Sequence, residues 1–199
     1  AAAGASACAQ AAAGKYACIG SDTDGDGVNS AAEAECACPS GKYAAAGASA
    51  CAQAAAGKYA CTGSDTDGTG VSTLAEDECD CPAGMYSASA GLTVCTACAV
   101  GTYTSSAGLT ECAQAAAGKY ACIGSDTDGT GVNSAAEAEC ACPSGRYAAA
   151  GASACAQAAA GKYACTGSDN DGTGVNTLAE AECDCPAGMY SATAGVTEC

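Results

Sequence analysis

The chain contains no tryptophan, no phenylalanine and no histidine, and large aliphatic side chains are few. Its hydrophobic fraction of 49% is therefore mostly alanine and cysteine. Because burying one methyl-sized group stabilises a fold by only about 0.8 kcal/mol, a conventional apolar core is excluded. Since there is also no histidine and no evident nucleophile–base pair, the sequence does not predict an enzyme.

Basic residues are scarce as well. Six lysines and arginines stand against 22 aspartates and glutamates, which gives a formal net charge of −16. Such a charge repels nucleic-acid phosphates and anionic membrane surfaces, so neither is expected as a partner. No apolar stretch is long enough to span a bilayer, and membrane insertion is not predicted. Metal cations and basic partners remain compatible with this charge.

Cysteine is abundant where other core residues are missing. Nineteen cysteines in 199 residues are typical of a disulfide scaffold, and they indicate an extracellular or cell-surface location with oxidising conditions. A zinc protein is disfavoured because histidine is absent and most close cysteine pairs have Cys-x-Cys spacing. Small chains without a large core need such covalent cross-links to hold a fold.

The chain is an internal repeat. The stretch from Ala9 to Cys95 recurs almost unchanged from Ala113 to Cys199, a shift of 104 residues. The sequence begins and ends partway through the repeating pattern, which favours a segment of an extended or open-ended array. The cysteines divide the chain into the end of a preceding module, two long modules, one short module and two more long modules: 1–8, 8–51, 51–95, 95–112, 112–155 and 155–199.

Gly-x-Tyr occurs twice in each long module and once in the short one, and it predicts a small hairpin. The glycine supplies a turn with positive φ, and the tyrosine enters a short strand and covers a neighbouring disulfide. Alanine runs of three residues are too short to nucleate a helix, although a helical turn at 30–35 is an alternative. We therefore expect a small disulfide-rich repeat array of short β-hairpins and irregular loops, with little helix and an elongated, solenoid-like shape. The return turns carry Gly47, Gly91, Gly108, Gly151 and Gly195.

A nearest-neighbour ladder of disulfides gives equivalent cysteines of the two repeats the same role. It assigns Cys8 to a cysteine upstream of the sequence. Sequence spacing does not prove connectivity, and other pairings stay open. The ladder joins Cys18 to Cys36, Cys38 to Cys51, Cys61 to Cys79, Cys81 to Cys95, Cys98 to Cys112, Cys122 to Cys140, Cys142 to Cys155, Cys165 to Cys183 and Cys185 to Cys199.

An acidic insert in each long module predicts a calcium loop. The first places carboxylates at loop positions 1, 3, 5 and 12, with a glycine at position 6. The other three have threonine at position 5, so weaker binding or none is expected, and a solvated acidic turn is the alternative for all four. The predicted Ca²⁺ ligands are Asp22, Asp24, Asp26 and Glu33; Asp65, Asp67 and Glu76; Asp126, Asp128 and Glu137; Asp169, Asp171 and Glu180. The threonines Thr69, Thr130 and Thr173 could alternatively carry O-linked sugar.

The stretch Cys95-x-x-Cys98-x-x-Gly101-x-Tyr103-x4-Gly108-x3-Cys112 resembles the ephrin-receptor-like cysteine-rich repeat, also called the GCC2/GCC3 repeat. The acidic inserts resemble the calcium loops of thrombospondin type 3 repeats. The resemblance implies an elongated extracellular repeat protein without enzymatic activity. Two features depart from it: the second cysteine of the family is alanine at positions 11, 54, 115 and 158, and Cys-x-x-Cys shortens to Cys-x-Cys in the long modules.

Near-identical modules without distinct end units favour a structural subunit of an extracellular fibre, surface hair or matrix filament that associates with itself. Contacts between identical units naturally give open assemblies. The alternative is a stalk that holds the binding head of an adhesin or receptor away from a cell. A ligand site would require one divergent module with an exposed patch, and only the short module differs from the rest.

Overall fold

The computed structural model describes residues 8–20, 22–28, 31–63, 65–124, 126–167 and 169–199. The described residues form two compact units. Those of the first lie within the ranges Ala1–Pro82, Tyr86–Thr96 and Ala107–Glu111, and those of the second within Ala83–Met85, Ala97–Ser106 and Cys112–Cys199. The described residues contain no helix, and hence none with the length and apolar character needed to cross a membrane.

Sixteen short strands pair into eight two-stranded sheets among the described residues, and each sheet joins two consecutive strands. The long hairpins have strands of four residues: β1 (Lys15–Cys18) with β2 (Ala34–Ala37), β5 (Lys58–Cys61) with β6 (Asp77–Asp80), β11 (Lys119–Cys122) with β12 (Ala138–Ala141), and β15 (Lys162–Cys165) with β16 (Ala181–Asp184). The short hairpins have strands of two residues: β3 (Lys42–Tyr43) with β4 (Ala52–Gln53), β7 (Met85–Tyr86) with β8 (Thr96–Ala97), β9 (Thr102–Tyr103) with β10 (Ala113–Gln114), and β13 (Arg146–Tyr147) with β14 (Ala156–Gln157). The predicted hairpin array with little helix is confirmed.

Alternation within the first strand of a long hairpin buries one face. In β1 the side chains of Tyr16 and Cys18 are buried, whereas Lys15 and Ala17 are half-buried. Tyrosine favours a strand because its ring packs across the pleated surface. Opposite it in the antiparallel register lies Cys36, so the ring and the sulfur share one side of the hairpin.

Nine disulfides close the hairpins, and they are the same nine pairs as in the nearest-neighbour ladder. Long hairpins are closed by cysteines 18 residues apart, as in Cys18–Cys36, and the short type of loop by cysteines 13 or 14 residues apart, as in Cys38–Cys51. In the chain-entropy description, each closure of this size restrains the unfolded chain by about 3 kcal/mol. Cys8 is exposed and has no disulfide partner among the described residues.

The core is a series of small clusters instead of one apolar interior. Tyr16 packs with Cys18, Cys38 and Ala44, and partly buried Cys36 and Cys51 complete the cluster, so the ring covers two disulfides as expected. An equivalent cluster surrounds Tyr120. The expectation is wrong for the tyrosines at 43 and 147, which pack against alanines of the next hairpin.

The glycine of Gly-x-Tyr is required by a close backbone contact as well as by its turn. Gly57 has a φ of 82°, and a Cβ built on it would overlap the carbonyl oxygen of Gly108, in the return turn of the hairpin two places further along the chain. The same next-but-one contact recurs in both units. It joins Gly14 to Leu74, Gly41 to Gly91, Gly84 to Ala135, Gly101 to Gly151, Gly118 to Leu178 and Gly145 to Gly195.

The partner residue in each contact also has a left-handed backbone. In short hairpins it is glycine, but in long hairpins it is Leu74, Ala135 or Leu178, with φ between 54° and 62°. Ala31, at the equivalent position of the first long hairpin, has a φ of 57°. A left-handed conformation costs a residue with a side chain roughly 1–2 kcal/mol, which the surrounding contacts must offset. The left-handed φ of Ala31 also excludes the alternative of a helical turn at 30–35, and strand β2 begins at Ala34. Positions 29 and 30 lie outside the described residues.

A matched pair of glycine substitutions tests the close contact. Gly57→Ala should lower stability by at least about 2 kcal/mol more than Gly63→Ala, because both residues have positive φ but only Gly57 faces a carbonyl oxygen. Gly63 serves as the control, since no heavy atom lies within 4 Å of the position that its Cβ would take. Thermal unfolding of the oxidised proteins measures the difference. Equal destabilisation by the two substitutions would contradict the contact.

Candidate functional site

The four acidic loops connect the two strands of the four long hairpins. Within the first loop, a carboxylate oxygen of Asp22 accepts a hydrogen bond from the Asp24 N–H at 3.2 Å, and a carboxylate oxygen of Asp24 accepts one from the Asp26 N–H at 2.8 Å. The other loops repeat this geometry, with Asp65 and Asp67 as acceptors in the second. Such bonds from aspartate to the backbone two residues on are typical of tight turns.

In each long hairpin, a buried tyrosine accepts a hydrogen bond from the backbone of the acidic loop. The hydroxyl oxygen of Tyr59 accepts a hydrogen bond from the Gly68 N–H at 3.3 Å, and Tyr120 accepts from Gly129 at 3.2 Å. The same pairing joins Tyr16 to Gly25 and Tyr163 to Gly172. Burial raises the pKa of the Tyr59 phenol above its ordinary value, so the hydroxyl stays neutral.

Local hydrogen bonds keep the central aspartates ionised. The Asp26 N–H lowers the pKa of Asp24, and the Thr69 N–H lowers that of Asp67. For Asp128 the largest cause is the hydroxyl of Thr130, which donates to its carboxylate. Each carboxylate is therefore negative at neutral pH, and part of its acceptor capacity is taken by the loop's own donors.

The predicted metal ligands are not gathered around one point. Glu33, Glu76, Glu137 and Glu180 are each anchored by their own backbone N–H, which donates to the carbonyl oxygen of Cys18, Cys61, Cys122 and Cys165, respectively. In the part of the chain that the structure describes, no three acidic, cysteine or histidine side chains are grouped to hold a metal ion. The first loop differs in one respect, since Lys42 lies 3.5 Å from Asp26 and partly neutralises it. Calcium binding stays a prediction.

The predicted glycosylation sites are exposed. Thr69, Thr130 and Thr173 lie in the acidic loops, and the backbone N–H of each donates to the aspartate two residues before it. The Thr130 hydroxyl is also engaged with Asp128. Attachment of sugar to these threonines stays a prediction.

Sequence reasoning missed an ionic bridge in every long hairpin. The Lys119 ammonium lies 2.6 Å from one carboxylate oxygen of Glu139, and the other oxygen accepts a hydrogen bond from the Ala116 N–H at 3.0 Å. These bonds lower the pKa of Glu139, with the lysine as the largest cause. The signal was available, because strands with the sequences Lys-Tyr-Ala-Cys and Ala-Glu-Cys-Ala place these residues on one face once they are paired.

Comparisons with known proteins add no relative to this picture. No protein-family model matches the chain, and no curated protein matches it. The resemblance to ephrin-receptor-like and thrombospondin type 3 repeats therefore stays a prediction. The disulfides themselves indicate an extracellular, disulfide-stabilised repeat protein.

Removing one hydroxyl tests the link between tyrosine and loop. Tyr59→Phe leaves the Gly68 N–H without its acceptor, and we expect a loss of about 1–3 kcal/mol with faster hydrogen exchange at Gly68. Tyr86→Phe is the control, because the Tyr86 hydroxyl has no hydrogen-bond partner in the described part of the chain. Unchanged exchange at Gly68 in the Tyr59 variant would contradict the assigned bond.

Calcium binding is tested by titration calorimetry of the oxidised chain with Ca²⁺. Asp26→Asn should remove or weaken the tightest site, whereas Thr130→Asp should add one by supplying a further hard oxygen ligand. Glu111→Gln, which loses the same charge at an exposed position outside the loops, is the control. Identical heats for all four proteins, or no heat at all, would rule out the predicted loop sites.

Proposed function

We propose that the chain is a structural subunit of an extracellular fibre, surface hair or matrix filament. The proposal rests on one observation, which is that recurring backbone hydrogen bonds join successive hairpins in the part of the chain that the structure describes. The Gly57 N–H donates to the carbonyl oxygen of Ser87 in the next hairpin at 2.8 Å, and the Ala44 N–H donates to that of Ala75 at 3.0 Å. Bonds of the first kind also join 14 to 44, 84 to 104, 118 to 148 and 161 to 191, and bonds of the second kind join 104 to 136 and 148 to 179.

This contact uses main-chain atoms and is therefore insensitive to side-chain identity. It occurs whether the accepting residue is alanine, serine or threonine, and in hairpins of either length. Arrays of this kind gain stability from each neighbour contact and lengthen without a new interface being needed. A structural protein whose role depends on its length needs to lengthen in this way.

Cross-links within the hairpins support the same role. Every disulfide spans 13, 14 or 18 residues, so tension on the chain cannot extend any stretch between bonded cysteines beyond its own short loop. Exposed charge surrounds this frame, and the formal net charge of −16 favours a hydrated surface. These properties suit a passive element outside the cell.

Negative-stain electron microscopy of the concentrated, oxidised chain tests the proposal. We expect filaments with a constant axial repeat, because identical units in heterologous contact form open assemblies. The reduced and alkylated chain is the control and should form none. Isolated particles at every concentration would instead favour a stalk that carries a binding head, and would contradict the fibre.

A further inference from the structure

In each long hairpin, the outer edge of the first strand is covered by the rest of the array. In β11, the Ala121 N–H donates to the carbonyl oxygen of Ala152 in the next hairpin at 3.0 Å. The Ala121 carbonyl oxygen accepts a hydrogen bond from the Val132 N–H of the acidic loop at 3.1 Å. Equivalent pairs of bonds are made by Ala17, Ala60 and Ala164. This edge therefore has no backbone groups left to pair with a further strand.

The outer edge of the second strand is unpaired. Glu139 lies opposite Ala121 in the antiparallel register, and Ala141 lies opposite Lys119. Opposite residues of such a ladder either exchange both hydrogen bonds or direct their backbone groups outward, and the two kinds of pair alternate. Since Ala121 directs its groups outward, Glu139 and Ala141 do so too. Their N–H groups and carbonyl oxygens have no hydrogen-bond partner among the residues that the structure describes. We call this the open edge.

The open edge recurs in the other long hairpins. The register is the same in each, with Glu35, Glu78 and Glu182 opposite the alanines at 17, 60 and 164. In β2 the sequence Ala-Glu-Cys-Ala is identical to that of β12. Strands β6 and β12 are each preceded and followed along the chain by further hairpins. Their open edges are therefore features of the array itself.

A groove in the second unit is lined by the open edge of β12. Its volume is about 520 Å³, within the range of ligand-binding pockets. The edge contributes Glu139, Cys140 and Ala141, and the hairpin two places further on contributes Thr177. The acidic loop contributes Asp126. Space for another molecule therefore lies beside the unpaired backbone groups.

The side chains along the open edges are acidic. Glu139 and Asp126 both line the groove, and in β6 the carboxylates of Glu78 and Asp80 are two residues apart and thus on one side of the strand. Lys58 lies 3.2 Å from Asp80, whose side chain is nevertheless 54% exposed. An added strand would therefore meet negative charge on one side of the sheet.

A second copy of this chain does not match such an edge. Pairing two open edges would bring acidic strands together, and like charges directly opposite destabilise a sheet. The chain has no uncommitted cation to offer either, because each lysine forms an ion pair within it and the arginine donates to the Cys155 carbonyl oxygen. These six bonded residues are Lys15, Lys42, Lys58, Lys119, Arg146 and Lys162. The complementary occupant is a different polypeptide that carries positive charge.

We propose that the open edge of β12 binds an extended segment of a basic protein by addition of a strand. The N–H groups of Glu139 and Ala141 donate to carbonyl oxygens of the segment, and its N–H groups donate to theirs. Lysine or arginine at every second position of the segment lies on the same side of the sheet as the Glu139 carboxylate. Strand β2, with the same sequence, binds in the same way. This inference goes beyond the proposed function and holds whether or not the chain forms a fibre.

Hydrogen exchange measured by NMR on the oxidised chain tests the proposal. The probe is the acetylated and amidated peptide Arg-Val-Arg-Val-Arg-Val. It should slow exchange of the Glu139 and Ala141 amides by about tenfold or more, because both become hydrogen-bonded. The Cys140 amide should not change, since it is already bonded to Tyr120 within the hairpin.

Two methylated peptides separate strand addition from attraction by charge alone. Arginines opposite Glu139 direct their N–H groups at the edge, so N-methylation of every arginine should abolish the protection. N-methylation of every valine leaves these groups free and keeps the same charge, so this peptide should still protect Glu139 and Ala141. Equal effects of the two peptides would overturn strand addition.

A proline variant tests the edge from the side of the protein. Ala141→Pro removes one outward N–H, and proline is tolerated on edge strands. Protection of Glu139 should be lost, whereas protection of Glu35 in β2 should persist in the same molecule. Ala150→Pro is the control and should behave as the wild type. Ala150 is exposed at the second position of a turn in which Gly151 has a φ of 78° and the Ala152 N–H donates to the Ala149 carbonyl oxygen, a geometry that favours proline. Thermal unfolding checks that both variants fold, and the methylated peptides decide the matter if one does not.

The remaining outcomes are equally informative. Protection confined to the acidic loops, or no protection at all, would overturn the proposal whatever electron microscopy shows of filaments. Protection of Glu139 and Ala141 that increases with protein concentration in the absence of peptide would overturn the basic partner in favour of a second copy. Peptide binding at the edge without filaments would support this inference and contradict the fibre alone.

Discussion

Closure of each hairpin by a cystine is the constraint on which the rest of the structure depends. The chain has too few large apolar side chains to offset the entropy of ordering 199 residues, and the disulfide-closed loops reduce that cost because they lower the conformational entropy of the unfolded chain. The non-covalent contacts that complete the fold are local. A tyrosine such as Tyr16 covers two cystines, and small residues let neighbouring backbones approach closely.

The repeating frame could be predicted from sequence because it follows the spacing of glycine, tyrosine and cysteine. Gly-x-Tyr marks the start of every hairpin, and five cysteine doublets in each 104-residue period favour the ladder of pairs, although spacing left other pairings open. The acidic loops were different. Their Asp-x-Asp pattern predicts oxygen atoms near one another, but the pattern does not determine whether those oxygens face a cation or the loop's own N–H groups, as the Asp67 carboxylate faces the Thr69 N–H.

Contacts between hairpins could not be predicted, since they join residues with no shared pattern. Nothing in the local sequence around Gly57 indicates that Gly108 lies against it, or that Leu74 adopts a left-handed backbone to meet Gly14. The alanines were misleading for a related reason. In a sequence, alanine indicates helix or carries little information. In the structure, the small side chains of Ala54, Ala60 and Ala75 form a buried cluster against which Tyr43 packs.

The next-but-one glycine contact bears on how such a chain evolves. It joins a long hairpin to a long one at Gly14 and Leu74, short to short at Gly41 and Gly91, long to short at Gly57 and Gly108, and short to long at Gly84 and Ala135. All four combinations are thus accepted by one backbone geometry. Unequal recombination between near-identical gene segments can add or delete a hairpin without creating a mismatched neighbour. Copy number is therefore free to drift, and the length of the protein becomes a trait that selection can adjust in small steps.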